Sequence, residues 1–459
     1  MRLNMFKPDL VYERIRTVLL HIKPLNNQHL STSQLFSTIK DLRNSSIIVE
    51  PKTAVFDEKV KIDLCGLPPG ERVTLHGEVI QGEKQIIYAS CGHYTTDPVG
   101  FISVSRQSSE GGTYTGVEPM GVFWSMKPAP DQPPNTRMPL SSTSLPCVYN
   151  LKVYQGHLSL DSIYNSKLAL NVLATSQHER WLKKPGVTRI EVDDPKVRGA
   201  FYLPPGDGPF QGVIDMFGSR GGLTEYKGAL LASHGMAVLC LPYFKYKDLP
   251  TNMMEMDLDY FEAAVNWLLR QPKVSTKGLG VVAISKGVEN AMAMGAYLPQ
   301  VTAVVCVNGF PFMTISDLVS KGQVFLKGAQ VSPELIKFTD EGLDIMESYP
   351  NPSEIIPIWK GKAKYLFLKS LDDFQMKPDL HRDLLAVCPE SKKRDIEVVQ
   401  YPGAGHLLDP PYIPLCRTAF NPTVGAEMKF GGQPKEHAYA QEDAWRKTIE
   451  FFKNNIPSS

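Results

Sequence analysis

No run of apolar residues in this sequence approaches the roughly eighteen needed to cross a bilayer as a helix. The longest candidates, Ala237 to Leu241 and Val301 to Val307, are strand-sized. An excess of one charge is missing too: 49 Lys and Arg stand against 48 Asp and Glu, a net of +1. No overall field therefore recruits nucleic acid or an anionic membrane. The short basic runs Lys183-Lys184 and Lys392-Lys393-Arg394 read as solvated faces. Cysteine is sparse and unpatterned. Cys65, Cys91, Cys147, Cys240, Cys306, Cys388 and Cys416 are odd in number and never spaced as C-x-x-C, which fits a reducing compartment better than a disulfide framework. No His/Cys cluster has zinc-ligand spacing, so no metal is expected. Cys240 and Cys306 sit inside apolar runs and read as small buried side chains.

What is present is an ordinary globular composition, 42% hydrophobic and 21% charged, on 459 residues. That length exceeds what one core usually organises and favours two domains. Residues 1–46 stand apart. They carry Arg2, Lys7, Arg14, Arg16, Lys23, Lys40 and Arg43 against Asp9, Glu13 and Asp41, with Leu10, Val11, Ile15, Val18, Leu19 and Ile22 at helical spacing. This pattern resembles a mitochondrial presequence, so residues 1–46 are read as a targeting extension. The mitochondrial matrix is the expected compartment and the cytosol the alternative. A peroxisome is disfavoured, because Ile456-Pro457-Ser458-Ser459 is not a Ser-Lys-Leu address.

Residues 47–186 show short alternating runs, at Val60 to Leu64, Val73 to Ile80, Ile86 to Ala89, Tyr149 to Tyr154 and Leu168 to Val172. Turn clusters such as Gly66-Leu67-Pro68-Pro69-Gly70 separate them, the pattern of a β-sandwich. The Pro-rich stretch Pro128 to Pro139 reads as a long loop inside it. This domain contains no nucleophile paired with a base and is read as structural or lid-forming. From residue 187 to 459 apolar strands alternate with helices, which predicts a mostly parallel sheet covered on both faces. The expected strands are Val213 to Met216, Ala237 to Leu241, Leu279 to Ile284, Ala303 to Asn308, Tyr365 to Lys369 and Ile396 to Tyr401.

The third of the strongly apolar strands ends in Ala283-Ile284-Ser285-Lys286-Gly287 and is followed by a helix, Val288 to Leu298. A serine between small residues at such a junction is a nucleophile elbow, the mark of an α/β-hydrolase. Ala283 stands where glycine is usual, a mild departure. A serine at that position is also a common helix cap. Order decides between the two readings, because an acid and a histidine each follow a later strand, as this fold requires. Tyr365 to Lys369 runs into Asp372-Asp373, of which Asp373 is the expected acid and Asp372 the reserve; Ile396 to Tyr401 runs into Gly403-Ala404-Gly405-His406. His406 is the expected base. His234 and His437 follow no strand and read as structural. The oxyanion donors are expected from the backbone N–H of Lys286 and from the loop Asp215 to Gly222, with Gly218 or a neighbour donating. In that loop Asp215 and Arg220 read as a structural pair.

The segments Val213 to Gly218, Ala283 to Gly287, Tyr401 to His406 and Pro410-Pro411-Tyr412, with Glu118-Pro119-Met120-Gly121 in the first domain, resemble the type I acyl-CoA thioesterases and bile acid-CoA:amino acid N-acyltransferase. The resemblance runs from about Ile47 to the C-terminus. It implies a two-domain enzyme acting on acyl-CoA thioesters with Ser285, Asp373 and His406 as its triad. No cofactor is implied, because coenzyme A belongs to substrate and product. The thioesterases carry serine as nucleophile and the acyltransferase carries cysteine, so Ser285 favours hydrolysis. Val288 after Gly287 and the pair Gly403-Ala404 are the acyltransferase's choices and keep amino acid conjugation as the alternative. Residues that would hold coenzyme A, and the oligomeric state, are not specified.

Overall fold

The computed structural model describes residues 44–140, 142–349, 354–377 and 379–457. The targeting extension lies outside them except for its last three residues. The first domain holds two sheets. The larger has six strands in the order Thr53–Val55, Val172–Trp181, Cys147–Gln155, Arg72–Gln81, Ile86–Thr95 and Lys127–Pro128. Its central hairpin pairs Arg72 with Thr95 through to Gln81 with Ile86. The smaller sheet places Lys61–Cys65 between Ser46–Glu50 and Ile102–Ser103. Val73, Leu75, Val79, Leu151 and Val153 alternate along the central strands and are fully buried, as period-two side chains facing a core must be.

One expected strand was misplaced. The strand runs from Val172 to Trp181, and Leu168 is 81% exposed. Its inward positions include His178 and Arg180, both fully buried, and such polar residues hide an alternating apolar signal. The chain leaves this sheet after Trp181 and enters the next at Thr188.

The second domain is built on eight strands: β1 (Thr188–Asp194), β2 (Val197–Leu203), β3 (Phe210–Met216), β4 (Ala237–Cys240), β5 (Val274–Ile284), β6 (Val301–Val307), β7 (Lys364–Ser370) and β8 (Ile396–Tyr401). Their spatial order is β1-β2-β4-β3-β5-β6-β7-β8. β1, β2 and β4 pair antiparallel, and every pair from β4 to β8 is parallel. Helices α1 (Tyr226–Ser233), α2 (Leu258–Leu269), α3 (Lys286–Tyr297), α4 (Leu380–Val387) and α5 (Pro434–Asn455) flank the sheet. This is the α/β-hydrolase arrangement, and it collects the loops after β3, β5, β7 and β8 at one edge of the sheet. Two small sheets decorate that edge. One joins Glu255–Asp257, Asp317–Ser320 and Gln323–Leu326; the other joins Lys337–Thr339, Gly342–Asp344, Ala426–Lys429 and Thr418–Asn421.

The two domains share one core, since Tyr149 and Leu151 belong to the same buried cluster as Tyr412, Trp445 and Phe452. Buried polar contacts lock the seam. The Arg180 guanidinium donates to the carbonyls of Val55, Phe56 and Glu58 and lies 5.4 Å from the ring of Tyr412. Asp57 accepts from Trp445 at 2.6 Å and pairs with His234 at 2.5 Å. Glu118 accepts from Lys435 and Tyr439, both at 2.7 Å.

Candidate active site

β5 runs directly into α3, and the single residue between them is Ser285, with φ 57° and ψ −131°. A non-glycine residue in that region is strained, and the strain holds the hydroxyl out at the strand end. Its amide donates to the carbonyl of Val307 at 2.9 Å, which ties the elbow to β6. Gly287 is required by close approach, because a Cβ there would stand 2.6 Å from the carbonyl oxygen of Phe217. A Cβ at the same place would be 3.4 Å from that of Ala283, so alanine is accommodated at the position where glycine is usual.

The structure brings the three expected side chains together from β5, β7 and β8. His406 Nε2 is 2.9 Å from Ser285 Oγ, and His406 Nδ1 is 2.8 Å from Asp373 Oδ2. The second oxygen of Asp373 accepts the amide of Gln375 at 2.7 Å. Asp372 points elsewhere, accepting from the amide of Gly432 at 3.1 Å and the side chain of Gln433 at 3.3 Å. Both His406 and Asp373 are buried, at 2% and 3% exposure. Buried this way, with each polar atom directed, the imidazole has one orientation.

Two further residues hold this geometry, Asn308, which the sequence did not single out, and His437, which was read from it as structural without a partner. Asn308, at the end of β6 with φ 46°, donates to the carbonyl of His406 at 2.8 Å and to Ser370 Oγ at 2.9 Å, and accepts the amide of Ser370 at 2.8 Å. His437, on α5, accepts the amide of Gly405 at 3.1 Å and reaches the carbonyl of Leu407 through its other ring nitrogen. It thus grips the backbone on both sides of His406. The only sequence signal was a polar residue closing an apolar strand in the first case and a histidine on an amphipathic helix in the second.

Lys286 is the first residue of α3 and follows the nucleophile directly. Its side chain is buried and pairs with Glu289 at 2.5 Å, while Glu289 also accepts the Thr314 amide at 2.8 Å. Gly218 faces the site: a Cβ there would lie 2.8 Å from Ser285 Cβ and 3.2 Å from its Oγ. The loop after β3 therefore packs directly against the nucleophile.

Ser285 and His406 open into a cavity of about 780 Å³. Its far wall comes from the first domain, through Asn135 to Leu140 and Lys84, so the Pro-rich loop closes over the hydrolase domain. Arg137 in that loop pairs with Asp409 at 2.7 Å, donates to Tyr226 Oη at 2.9 Å and stacks 5.2 Å over Phe217. The pair read from sequence between Asp215 and Arg220 does not form. Asp215 pairs instead with Lys227 at 2.9 Å, because its strand position points it inward toward α1. Arg220 is exposed and also lines the cavity.

Residues 57–194 match the family model described as acyl-CoA thioester hydrolase/BAAT N-terminal region, and residues 256–458 match BAAT / acyl-CoA thioester hydrolase C terminal. Mouse acyl-coenzyme A amino acid N-acyltransferase 2 is 38% identical over 424 residues, covering 90% of this chain and 98% of its own. The chain belongs to the acyl-CoA thioester hydrolase/BAAT family. Within that family mouse acyl-coenzyme A thioesterase 1 is 36% identical over 421 residues, covering 90% of this chain and 97% of its own. Mouse acyl-coenzyme A thioesterase 2, mitochondrial, is 35% identical over 422 residues, covering 90% of each chain. The two activities in this family are matched at nearly equal identity, so the choice between them falls to the site.

Proposed function

We propose that this protein hydrolyses medium- to long-chain fatty acyl-CoA thioesters to free fatty acid and coenzyme A through an acyl-serine intermediate. The observation that carries the reading is the serine hydroxyl at 2.9 Å from His406, itself 2.8 Å from Asp373, on the floor of a cavity of ligand size. His406, oriented by Asp373, takes the Ser285 proton as the oxygen attacks the thioester carbonyl. The backbone amides of Lys286 and Gly218 receive the oxyanion. His406 returns the proton to the departing sulfur, and coenzyme A leaves as a thiol. Water, deprotonated by the same imidazole, then releases the acid from Ser285. Coenzyme A enters and leaves with each turnover, and the cycle as drawn uses no resident cofactor or metal.

Conjugation of the acyl group to glycine or taurine is the second reading, favoured by Val288, which is fully buried behind the elbow, and by the Gly403-Ala404 pair. One assay separates the two. Thiol release from palmitoyl-CoA is measured with free acid and amide product both quantified, in the presence of glycine or taurine. Free acid is the expected product, and Ser285→Ala is expected to lower turnover by about 10⁴-fold or more. Amide as the main product would establish the second reading; undiminished turnover in the variant would remove the acyl-serine step. For compartment, the mitochondrial matrix is proposed over the cytosol, and fractionation of cells expressing the full-length chain tests it.

A further inference from the structure

We propose that Arg220, seconded by Lys245 and Lys84, binds the phosphates of the coenzyme A moiety, so that this group of cations in the cavity lining holds the leaving group by its charge. The inference rests on the acyl-CoA reading above and gives it a binding site. It begins from charge accounting around the cavity. Lys84, Arg137, Arg220 and Lys245 line it. Arg137 is neutralised by Asp409. Glu225, the one carboxylate in that lining among the described residues, is already committed to Arg189 at 2.5 Å and to Tyr202 at 2.5 Å. Arg220 and Lys84 have no carboxylate partner among the described residues, and Lys245 meets only the carbonyl of Pro422 at 3.3 Å and Thr423 Oγ1 at 3.0 Å.

The arrangement is built rather than incidental. Thr423 Oγ1, which accepts from Lys245 Nζ, also donates to the carbonyl of Arg220 at 3.0 Å, so one hydroxyl ties the Lys245 ammonium to the backbone of Arg220. Gly222 donates its amide to the carbonyl of Phe244 at 3.0 Å, and Asn421 donates to Ser219 Oγ at 3.2 Å, which anchors the loop on either side of Arg220. The two acids nearest in sequence, Asp215 and Glu225, are diverted to Lys227 and Arg189. Phosphate suits the site because the planar guanidinium presents two parallel N–H donors to two oxygens, while lysines add point charge.

The test compares palmitoyl-CoA with palmitoyl-pantetheine, which lacks the phosphates and the adenosine, and with palmitoyl-4′-phosphopantetheine, which lacks the adenosine but keeps one phosphate, in wild type, Arg220→Gln and Lys245→Gln. The expected result is that the ratio of kcat/KM for the CoA ester over the pantetheine ester falls about tenfold or more in Arg220→Gln, through KM, and by less in Lys245→Gln. A ratio unchanged in both variants, or equal losses on both esters, overturns the proposal. Direct binding of free coenzyme A to the full chain, followed by calorimetry, is read alongside and does not depend on turnover. Weaker binding in Arg220→Gln is expected, and unaltered affinity would also overturn it. A wild-type protein that bound coenzyme A through Arg220 yet cleaved neither ester would refute the thioesterase reading alone. Thermal midpoints equal to wild type exclude misfolding as the cause of any loss.

Discussion

The two walls of the cavity follow opposite rules. On the triad side every group is committed: Asp373 to His406 and Gln375, His406 to Ser285, the base-bearing loop to Asn308 and His437. On the Arg220 side cations outnumber their partners. A wall that performs proton transfer gains from fixed geometry, because a misplaced imidazole cannot serve. A wall that binds a mobile polyanion gains from charge left over, because compensated charge has nothing to offer a ligand. The difference teaches which residues answer to distance and which to charge.

Substitutions that keep shape and change charge or tautomer break this comparison most cleanly. The largest effect is expected from Asp373→Asn, which leaves the fold intact but presents the wrong hydrogen-bonding partner to His406 Nδ1. Turnover should drop by about 10⁴-fold, whereas Asp372→Asn should change it by less than about fivefold. Equal effects in the two variants would mean that the acid has been misassigned. Next comes Asp409→Asn, which moves Arg137 from the committed class to the uncommitted one. Removing one partner of a largely buried pair costs about 3 kcal/mol, read as a lower urea midpoint, and an unchanged midpoint would show that Tyr226 alone suffices to hold Arg137.

The smallest effect concerns pH. Burial pushes the imidazoles of His76, His178 and His437 each down to about 4, against about 6.5 in an unfolded chain. Between those values the unfolded chain binds more protons than the folded one. Their contribution is therefore fully present above about pH 6.5 and is lost as pH falls toward 4. Urea midpoints should decline over that window, and His437→Gln should flatten the decline. Midpoints constant from pH 7 to pH 5 would contradict this.

Much of the site was legible because parallel strands buried on both faces leave unbroken apolar runs with sharp ends, and the active residues sit at those ends. β8 begins and ends where expected, and the C-terminal ends of β5 and β7 are displaced by no more than a residue. The hairpin of β1 and β2 was not legible, since β1 is an edge strand whose positions other than Val192 are largely exposed. The strand from Val172 to Trp181 was hidden by Arg180 and His178 facing inward. Asn308 and His437 act through backbone groups about a hundred and about thirty residues away in sequence, and no local pattern reports such a contact. The partner of Asp215 was mistaken for the same reason: nearness in sequence suggested Arg220, while strand direction selected Lys227.

Arg180 carries a last consequence. Its guanidinium belongs to the first domain by sequence, yet it rests on the ring of Tyr412 from the second, inside a core that neither half encloses alone. The halves are in that sense one heritable unit. A gene fragment encoding only the hydrolase half would expose that seam and lose the loop bearing Arg137.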